Sequence, residues 1–382
     1  MASDALKIGF VFDDSLDSND GVSQYVKTLG EWLSHQGHQV SYLVGETKLK
    51  QWAGGKVYSL AQNKNVTFND NRLSIPLPVD QNRIKGVLKA ENFDVLHVQV
   101  PYSPFMAQRV INKASRQTAI VGTFHIVPAN HLASWGSRLL RLTYGRSLKR
   151  FDSIISVSPP AADFARRTFG LETQVISNAV NIKRFDAASN PRRRGGNKIV
   201  FLGRLVKRKG CQQLLKAFEL LYAERPDTRL IIGGDGPLRS KLERFVNSKN
   251  LTPLVSFIGF VDEIDKPTLL ASADIACFPA TGGESFGIVL VEAMAAGAGV
   301  VAGGDNPGYR SVLNGRPEML VQPNNSVEFA KQLKLLLDDS SLSDEIHDWQ
   351  QLSVRQYDIA LIGPKLLKVY REAIAKHRIY RA

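Results

Sequence analysis

The chain has few cysteines, and this scarcity excludes several kinds of protein. Among its 382 residues there are two, Cys211 and Cys277. Two cysteines do not resemble the disulfide framework of a small secreted domain, and they do not resemble a zinc site. We therefore expect two buried free thiols in a protein of a reducing compartment.

Long apolar runs are also missing. No stretch approaches the roughly 18 to 20 apolar residues that a membrane-spanning helix needs. The opening segment, MASDALKIGFVF, has a short apolar run and no basic leader, unlike a secretory signal peptide. Any contact with a membrane is therefore expected to be peripheral.

Several motifs of well-known chemistry are absent from the sequence as well. It contains no P-loop, no G-x-S-x-G elbow and no G-x-G-x-x-G fingerprint with its downstream acid. It also lacks the ligand spacing of a metal site and an Asp-x-Asp pair at the predicted strand ends. The sequence thus predicts neither a bound metal nor a resident cofactor.

The chain does have one architectural pattern that it uses twice. Apolar runs typical of buried strands alternate with amphipathic helical spacing, and the polar segment 187–198 (AASNPRRRGGNK) separates the two halves as a linker. We predict an α/β protein with two Rossmann-like, doubly wound domains that face each other across a ligand-binding cleft. The predicted domains are residues 1–190 and 191–360, with a C-terminal helix in 361–382 that packs back on the first domain. Strands are predicted at residues 7–12, 40–44, 94–100, 119–124, 153–157, 199–202, 229–233, 255–258, 275–278, 299–302 and 319–321.

The charge balance is strongly basic. Lys and Arg number 49 against 36 Asp and Glu, which gives a net charge of +13. This excess favours an anionic partner, such as a phosphorylated substrate or an acidic membrane surface; the alternative is a basic surface that only faces solvent. No aromatic-studded basic groove or nucleic-acid module is present, so nucleic acid is not predicted as a partner.

The strongest motif is GGESFGIVLVEAMAAG, residues 282–297, which follows a predicted strand. We predict a helix from about Ser285 to Ala296, whose first N–H groups and positive dipole end suit a pyrophosphate. Glu284 and Glu292 are expected on one face of this helix, where they could accept hydrogen bonds from sugar hydroxyls. The alternative is an ordinary helix whose acidic first turn complements the dipole.

A second motif, FLGRLVKRKG, spans residues 201–210 and follows the first strand of the second half. We predict that Arg204 and Lys209 stabilise the negative charge of a departing nucleoside diphosphate. Lys207 and Arg208 are predicted to be surface charges. The alternative is that the whole basic run is solvated.

Three shorter segments add weaker indications. Glu263 follows a strand end, where its carboxylate could accept both N–H groups of a guanine edge; a solvated loop acid is the alternative. Gly21 precedes a helical pattern and would let the backbone approach a phosphate closely. His125 ends the predicted strand GTFH at a cleft-facing position; the alternative is a hydrogen-bonded core histidine.

Taken together, these segments resemble the retaining glycosyltransferases of family 4. The resemblance is carried by GRLVKRKG, GGDGPL, FIGFV, DGVSQYV and the E-x7-E run, and it spans nearly the whole chain. Within the family the sequence is most similar to phosphatidylinositol mannosyltransferases, through FDVLHV and TFH. The resemblance implies the GT-B fold, a nucleotide-sugar donor and a final helix that crosses back to the first domain.

The resemblance also implies roles for individual residues. Catalysis would involve Glu284 at the transferred sugar, His125 beside it, and Arg204 and Lys209 at the donor pyrophosphate. The other implied contacts are Glu292 with the ribose, Val261, Glu263 and Lys266 around the base, the backbone of Phe286, Gly287 and Ile288 at the sugar and phosphate, and Gly21 at the diphosphate.

Basic amphipathic segments bear on the membrane. In residues 82–90, Arg83, Lys85 and Lys89 alternate with apolar residues, and segments 137–150 and 365–381 are similarly basic. Such helices can lie in an interface that faces anionic lipid; a helix with a basic solvent face and a buried apolar face is the alternative. We take Arg83, Lys85 and Lys89 as candidate membrane contacts.

The expected function is therefore transfer of a hexose, mannose from GDP-mannose, to a lipid or polyol-phosphate acceptor. The expected location is the cytoplasm, peripheral at the inner face of the cell membrane. One alternative is a soluble family 4 enzyme that uses a UDP-sugar on a sugar or small-molecule acceptor. The other is a non-catalytic nucleotide-sugar-binding protein.

Overall fold

A computed structural model of the chain describes residues 5–18, 20–68, 71–125, 148–186 and 197–381. The strands in these residues are β1 (Lys7–Phe12), β2 (Gln39–Val44), β3 (Gln51–Trp52), β4 (Gly55–Ser59), β5 (Ala61–Phe68), β6 (Asn71–Val79), β7 (Val95–Gln99), β8 (Ala119–Phe124), β9 (Ser153–Ser156), β10 (Gln174–Val175), β11 (Lys198–Leu202), β12 (Arg229–Gly233), β13 (Val255–Gly259), β14 (Ile275–Phe278), β15 (Val300–Gly304) and β16 (Leu320–Val321).

The helices in the same ranges are α1 (Gly21–His35), α2 (Gln81–Glu91), α3 (Met106–Lys113), α4 (Pro159–Phe169), α5 (Ile182–Asp186), α6 (Cys211–Glu224), α7 (Arg239–Ser248), α8 (Lys266–Ala271), α9 (Ile288–Ala295), α10 (Pro307–Val312), α11 (Ser326–Asp338), α12 (Ser340–Ser353) and α13 (Ile359–Arg381). Short 3-10 turns occur at Lys207–Lys209, Pro317–Met319 and Val354–Tyr357.

The chain forms two units: Met1–Ala179 with Ile359–Ala382, and Val180–Asp358. The division therefore precedes the predicted position at 190/191. The reason is that the segment after Ala179 bonds to the second unit, where the Val180 N–H donates to the Tyr357 carbonyl oxygen at 2.9 Å. Helix α13 belongs to the first unit, and residues 187–196 of the predicted linker lie outside the described residues.

The first unit is built on an eight-stranded sheet in the order β10-β9-β8-β7-β1-β2-β4-β3. All neighbouring pairs are parallel except β3 and β4. Strand β1 lies centrally, and its Ile8, Phe10 and Val11 have no exposed surface. The strand order reverses at β1, between β2 and β7, which makes the carboxyl ends of β1 and β7 the expected ligand-binding edge.

The second unit has a six-stranded parallel sheet in the order β13-β12-β11-β14-β15-β16. Here the order reverses between β11 and β14. Helix α9 follows β14 and is apolar on nearly every side, with Leu290, Val291 and Met294 fully buried. The loops after β11 and β14 therefore share the edge at which doubly wound sheets bind ligands.

The predicted strands are confirmed to within two residues at each end. Helix α1 is confirmed too. It ends at His35 with Gln36 as its C-cap, and the following Gly37, with a φ of +86°, stops the helix. Strands β3 to β6 and β10 were not predicted. Among the described residues, no helix combines the length and apolar character needed to cross a bilayer.

Candidate active site

The loop that carries Arg204 is held by the glycine-rich turn after β12. The Gly203 N–H donates to the Gly233 carbonyl at 3.0 Å, and the Leu205 N–H donates to the Asp235 carbonyl at 2.9 Å. A Cβ at Gly234 would lie 2.0 Å from the Gly203 carbonyl oxygen, so a glycine is needed for this close approach. Arg204 is exposed on the resulting fixed loop.

Next to it, two cations converge on Glu284. The Arg208 Nη1 lies 2.6 Å and the Lys209 Nζ 2.8 Å from the same oxygen, Oε1 of Glu284. The side chains are 28 %, 22 % and 12 % exposed for Arg208, Lys209 and Glu284. The prediction that Arg208 is merely a surface charge is therefore wrong, because its guanidinium pairs with a largely buried carboxylate.

The backbone brings these three residues together. The Thr281 N–H, in the loop after β14, donates to the Arg208 carbonyl oxygen at 2.8 Å. Gly210 has a φ of +76°, and a Cβ there would lie 1.8 Å from the Pro279 carbonyl oxygen. The turn after β11 and the loop after β14 thus fit together closely only because Gly210 has no side chain.

The helix of the E-x7-E motif begins later than predicted. It starts at Ile288, because Gly287 adopts a φ of +104° that a helix cannot contain. Glu284 therefore lies in the preceding loop, and the expectation that it shares a helix face with Glu292 is wrong. No side chain among the described residues caps the start of α9, so its first N–H groups keep the character of an anion site.

Glu292 instead belongs to a buried ion-pair network. It is 5 % exposed, and its Oε1 lies 3.0 Å from Lys266 Nζ, which also contacts Glu263 Oε1 at 2.8 Å. Burial alone would lower the pKa of Lys266, but Glu292 and Glu263 outweigh it and raise that pKa, so the ammonium stays charged. Burial raises the pKa of Glu292. Arg184, which sequence reasoning missed, extends the network by donating to the Glu263 carbonyl oxygen at 2.7 Å.

The remaining predicted residues of this unit line its loops. Phe286 buries its ring edge-on against Tyr357, with centroids 5.4 Å apart, so only its backbone can meet a ligand. Gly287 lies against Tyr309, since a Cβ there would be 2.5 Å from Tyr309 Cδ1. Ile288 is half-buried, and Val261 packs near Gly233.

In the first unit, His125 follows β8 and is 6 % exposed. Its Nε2 lies 2.7 Å from Gln99 Oε1, and its ring packs edge-on against Tyr25 with centroids 4.8 Å apart. Burial lowers the pKa of His125 to about 3, so the ring is neutral at ordinary pH. Since Gln99 Nε2 donates to the His97 carbonyl oxygen at 3.2 Å, its Oε1 accepts the proton of His125 Nε2.

A second buried histidine lies behind this pair. His97 Nδ1 is 2.7 Å from the hydroxyl of Tyr370 on α13, and His97 Nε2 contacts Thr123. Burial, with a smaller contribution from His125, lowers the pKa of His97 to about 3. The sequence signal for this network was the presence of polar residues, His97 and Gln99, within the apolar strand β7. Their hydrogen-bond partners could not be predicted, because one of them, Tyr370, lies on α13, far along the chain.

Gly21 is the first residue of α1 and is exposed. The Asp20 side chain already accepts hydrogen bonds from the N–H groups of Val22 and Ser23, at 2.8 and 3.0 Å. A diphosphate that approached Gly21 would therefore meet a carboxylate at this helix start.

On α2 the basic and apolar residues face opposite ways. Arg83, Lys85 and Lys89 are exposed, whereas Ile84 and Val87 are buried in the core. The apolar face is thus not available for insertion into lipid. Residues 137–147 of the second basic segment lie outside the described residues.

In the described part of the chain, no three His, Cys, Asp or Glu side chains lie close enough together to hold a metal ion.

Comparison with known proteins gives matches over both units. The model "Glycosyltransferase Family 4" matches residues 19–184, and "Glycosyl transferases group 1" matches residues 182–351. The phosphatidyl-myo-inositol mannosyltransferase of Mycolicibacterium smegmatis is 32 % identical over 375 residues, 96 % of this chain and 93 % of that protein. The Mycobacterium tuberculosis protein of the same name is 32 % identical over 384 residues, 96 % of each chain.

Solved structures share the fold at low sequence identity. Anabaena HepE in complex with UDP and glucose has a TM-score of 0.75 at 18 % identity, over 95 % of this chain and 99 % of that one. TarM has a TM-score of 0.76 at 13 % identity, over 97 % and 100 %. With two doubly wound units and near-complete coverage by relatives above 30 % identity, this chain belongs to glycosyltransferase family 4 and is a glycosyltransferase of GT-B fold.

Proposed function

We propose that this chain transfers mannose from GDP-mannose, with retention of anomeric configuration, to a phosphatidylinositol-type or other polyol-phosphate lipid at a membrane surface. The observation that carries the proposal is 32 % identity over 96 % of the chain to proteins named phosphatidyl-myo-inositol mannosyltransferase. The charges and hydrogen-bonding groups of the candidate site support the same chemistry.

The donor diphosphate is assigned to Arg204, Lys209 and the start of α9. Arg204 is exposed on a fixed loop, and Lys209 lies close by in the following turn. Cations and helix amides stabilise the negative charge that develops on a departing diphosphate, and the amides at the start of α9 do so at little reorganisation cost because the fold already fixes them. This part of the proposal asks for no resident cofactor.

The transferred sugar is assigned to Glu284, to the backbone of Phe286, Gly287 and Ile288, and to His125. Glu284 can accept a hydrogen bond from a sugar hydroxyl, and the neutral imidazole of His125 can form a hydrogen bond with another sugar hydroxyl. Retention follows if the acceptor hydroxyl attacks on the face from which the diphosphate leaves. The bond from the anomeric carbon to the diphosphate then breaks, and the proton of the acceptor hydroxyl passes to a diphosphate oxygen.

The nucleoside is assigned to Val261, Glu263, Lys266 and Glu292. Guanine offers two adjacent N–H groups to a carboxylate, whereas uracil offers one, so Glu263 favours GDP. Glu263 already contacts Lys266, but a carboxylate has about four acceptor positions and can accept further hydrogen bonds. Glu292, fixed by Lys266, would accept a hydrogen bond from a ribose hydroxyl.

The membrane part of the proposal places the enzyme peripherally at the inner face of the cell membrane. The exposed Arg83, Lys85 and Lys89 support contact with anionic lipid headgroups. Because the apolar residues of α2 are buried, this contact is electrostatic, and each basic residue contributes about 1 kcal/mol near such a surface.

A transfer assay with the purified chain tests the proposal. Vesicles of phosphatidylinositol in phosphatidylglycerol are incubated with GDP-mannose, UDP-glucose or ADP-glucose, and the lipids are analysed by mass spectrometry. We expect a hexose adduct of phosphatidylinositol with GDP-mannose only, and an α-linkage by NMR. Transfer from UDP-glucose alone, or an inverted linkage, would contradict the proposal.

A further inference from the structure

We propose that Arg208 is a positioning residue: it holds Glu284 against the transferred sugar while Lys209 turns to the donor diphosphate. This inference rests on the proposed donor site and deepens it. It concerns a residue whose position in the sequence suggested only a solvated charge.

Arg208 and Lys209 share one oxygen of the Glu284 carboxylate. Arg208 Nη1 and Lys209 Nζ both contact Glu284 Oε1, at 2.6 and 2.8 Å. Lys209 is the cation that the diphosphate also requires. A doubly charged diphosphate attracts an ammonium more strongly than one carboxylate does, so donor binding draws Lys209 away from Glu284.

The two cations differ in how they are held. The Arg208 carbonyl oxygen accepts hydrogen bonds from the Thr281 N–H at 2.8 Å and the Thr281 hydroxyl at 3.3 Å. Thr281 lies in the same loop as Glu284, so the backbone of Arg208 is tied to that loop. Arg208 also presents a planar, always charged guanidinium, whereas Lys209 carries a point charge on a flexible stem. Arg208 can therefore keep its contact while the Lys209 side chain moves.

Loss of Arg208 should affect binding of the sugar moiety and not binding of the diphosphate. Without Arg208, donor binding would leave the Glu284 carboxylate unpaired near a diphosphate of the same charge. The carboxylate would then turn away from the sugar hydroxyls. Loss of Arg208 should therefore weaken interactions with the nucleotide sugar, while a nucleoside diphosphate that lacks the sugar should bind nearly as before.

The test compares Arg208→Met with Lys207→Met, which removes an exposed charge from the same turn. Affinities for the nucleoside diphosphate and for the nucleotide sugar are measured by calorimetry, and kcat by transfer. For Arg208→Met we expect kcat and nucleotide-sugar affinity to fall about tenfold, with diphosphate affinity changed less than about threefold. Arg208→Lys should recover part of the loss, and Lys207→Met should behave like the wild type.

Two outcomes would overturn the inference. Equal losses for the diphosphate and the nucleotide sugar would mean that Arg208 binds the diphosphate itself, and wild-type behaviour would mean that it has no role. If Arg208→Met unfolds, the effect of Arg208→Lys on nucleotide-sugar affinity and kcat is measured twice, once in the wild-type chain and once in Glu284→Gln. Equal effects in the two backgrounds would exclude action through Glu284. The assays use whichever nucleotide sugar the wild type turns over, so failure of GDP-mannose as donor would be seen separately.

Discussion

At the scale of single residues, the interior of the first unit holds His97 and His125 neutral. Burial lowers the pKa of both His97 and His125 to about 3, well below their ordinary range. His125 donates its Nε2 proton to Gln99, and Gln99 is itself held by the His97 carbonyl oxygen. If His125 contacts the transferred sugar as proposed, it does so as a neutral hydrogen-bonding ring and not as a cation.

A substitution at Gln99 tests this protonation state. Gln99→Glu places a carboxylate at His125 Nε2, which favours the imidazolium and raises the pKa of His125. We expect the pH profile of kcat/KM to gain an acidic limb, with activity lost as the pH falls through the raised pKa. The wild-type ring stays neutral at that pH, so its profile should lack this limb.

The matched control is Gln108→Glu on helix α3, a buried glutamine whose side-chain amide donates to Asn112 and not to His97 or His125. Profiles for Gln99→Glu that superimpose on those of the wild type would remove His125 from the reacting sugar. A limb that also appears for Gln108→Glu would point to a general effect of charge.

At the scale of elements, the start of α9 depends on one glycine. Gly287 combines a φ of +104° with a position where a Cβ would lie 2.5 Å from Tyr309 Cδ1. Gly287→Ala should therefore lower the free energy of unfolding by about 2 kcal/mol or more and shift the loop that carries Glu284. Urea denaturation measures the first effect, and the KM for the donor measures the second.

Gly315→Ala is the matched control, because Gly315 has a φ of +84° and no atom of the described residues would lie within 4 Å of a Cβ there. An alanine at this position would have the same unfavourable positive φ as one at Gly287, but no clash with a neighbouring side chain. Equal destabilisation by the two substitutions would show that Tyr309 does not determine the position of this loop.

How much the sequence could reveal also differs by element. Apolar runs sufficed to find strands such as β1, β8, β12 and β14, because buried parallel strands are nearly continuous apolar segments. The start of α9 was misplaced because Glu284 and Ser285 look like a normal first turn, and only the φ of Gly287 excludes it. The partner of Arg208 lies 76 residues away, and that pairing exists only once β11 and β14 are neighbours.

At the scale of the whole molecule, the net charge of +13 bears on where the enzyme works. Arg83, Lys85 and Lys89 are exposed, and each contributes about 1 kcal/mol near an anionic surface. We therefore expect the variant in which all three are replaced by Gln to bind anionic vesicles up to about 100-fold more weakly. Transfer to a soluble acceptor should be unchanged. Vesicle sedimentation at low and high salt measures the effect.

The control for this prediction replaces three exposed basic residues of the second unit, Lys241, Arg244 and Lys331, by Gln. An equal loss of vesicle binding in that variant would assign the attraction to overall charge. Binding by the wild type that is insensitive to salt would argue against an electrostatic contact, because mobile ions screen exposed charges.

The central claim is that the loops after β11 and β14 hold the diphosphate of a nucleotide sugar. It is tested most directly by the affinity for GDP of Arg204→Ala, Lys209→Ala and Lys207→Ala, measured by calorimetry on folded protein. We predict that the first two bind GDP about tenfold or more weakly, since each loses a charged contact to phosphate, and that Lys207→Ala binds like the wild type. Unchanged affinity in Arg204→Ala and Lys209→Ala would contradict the claim.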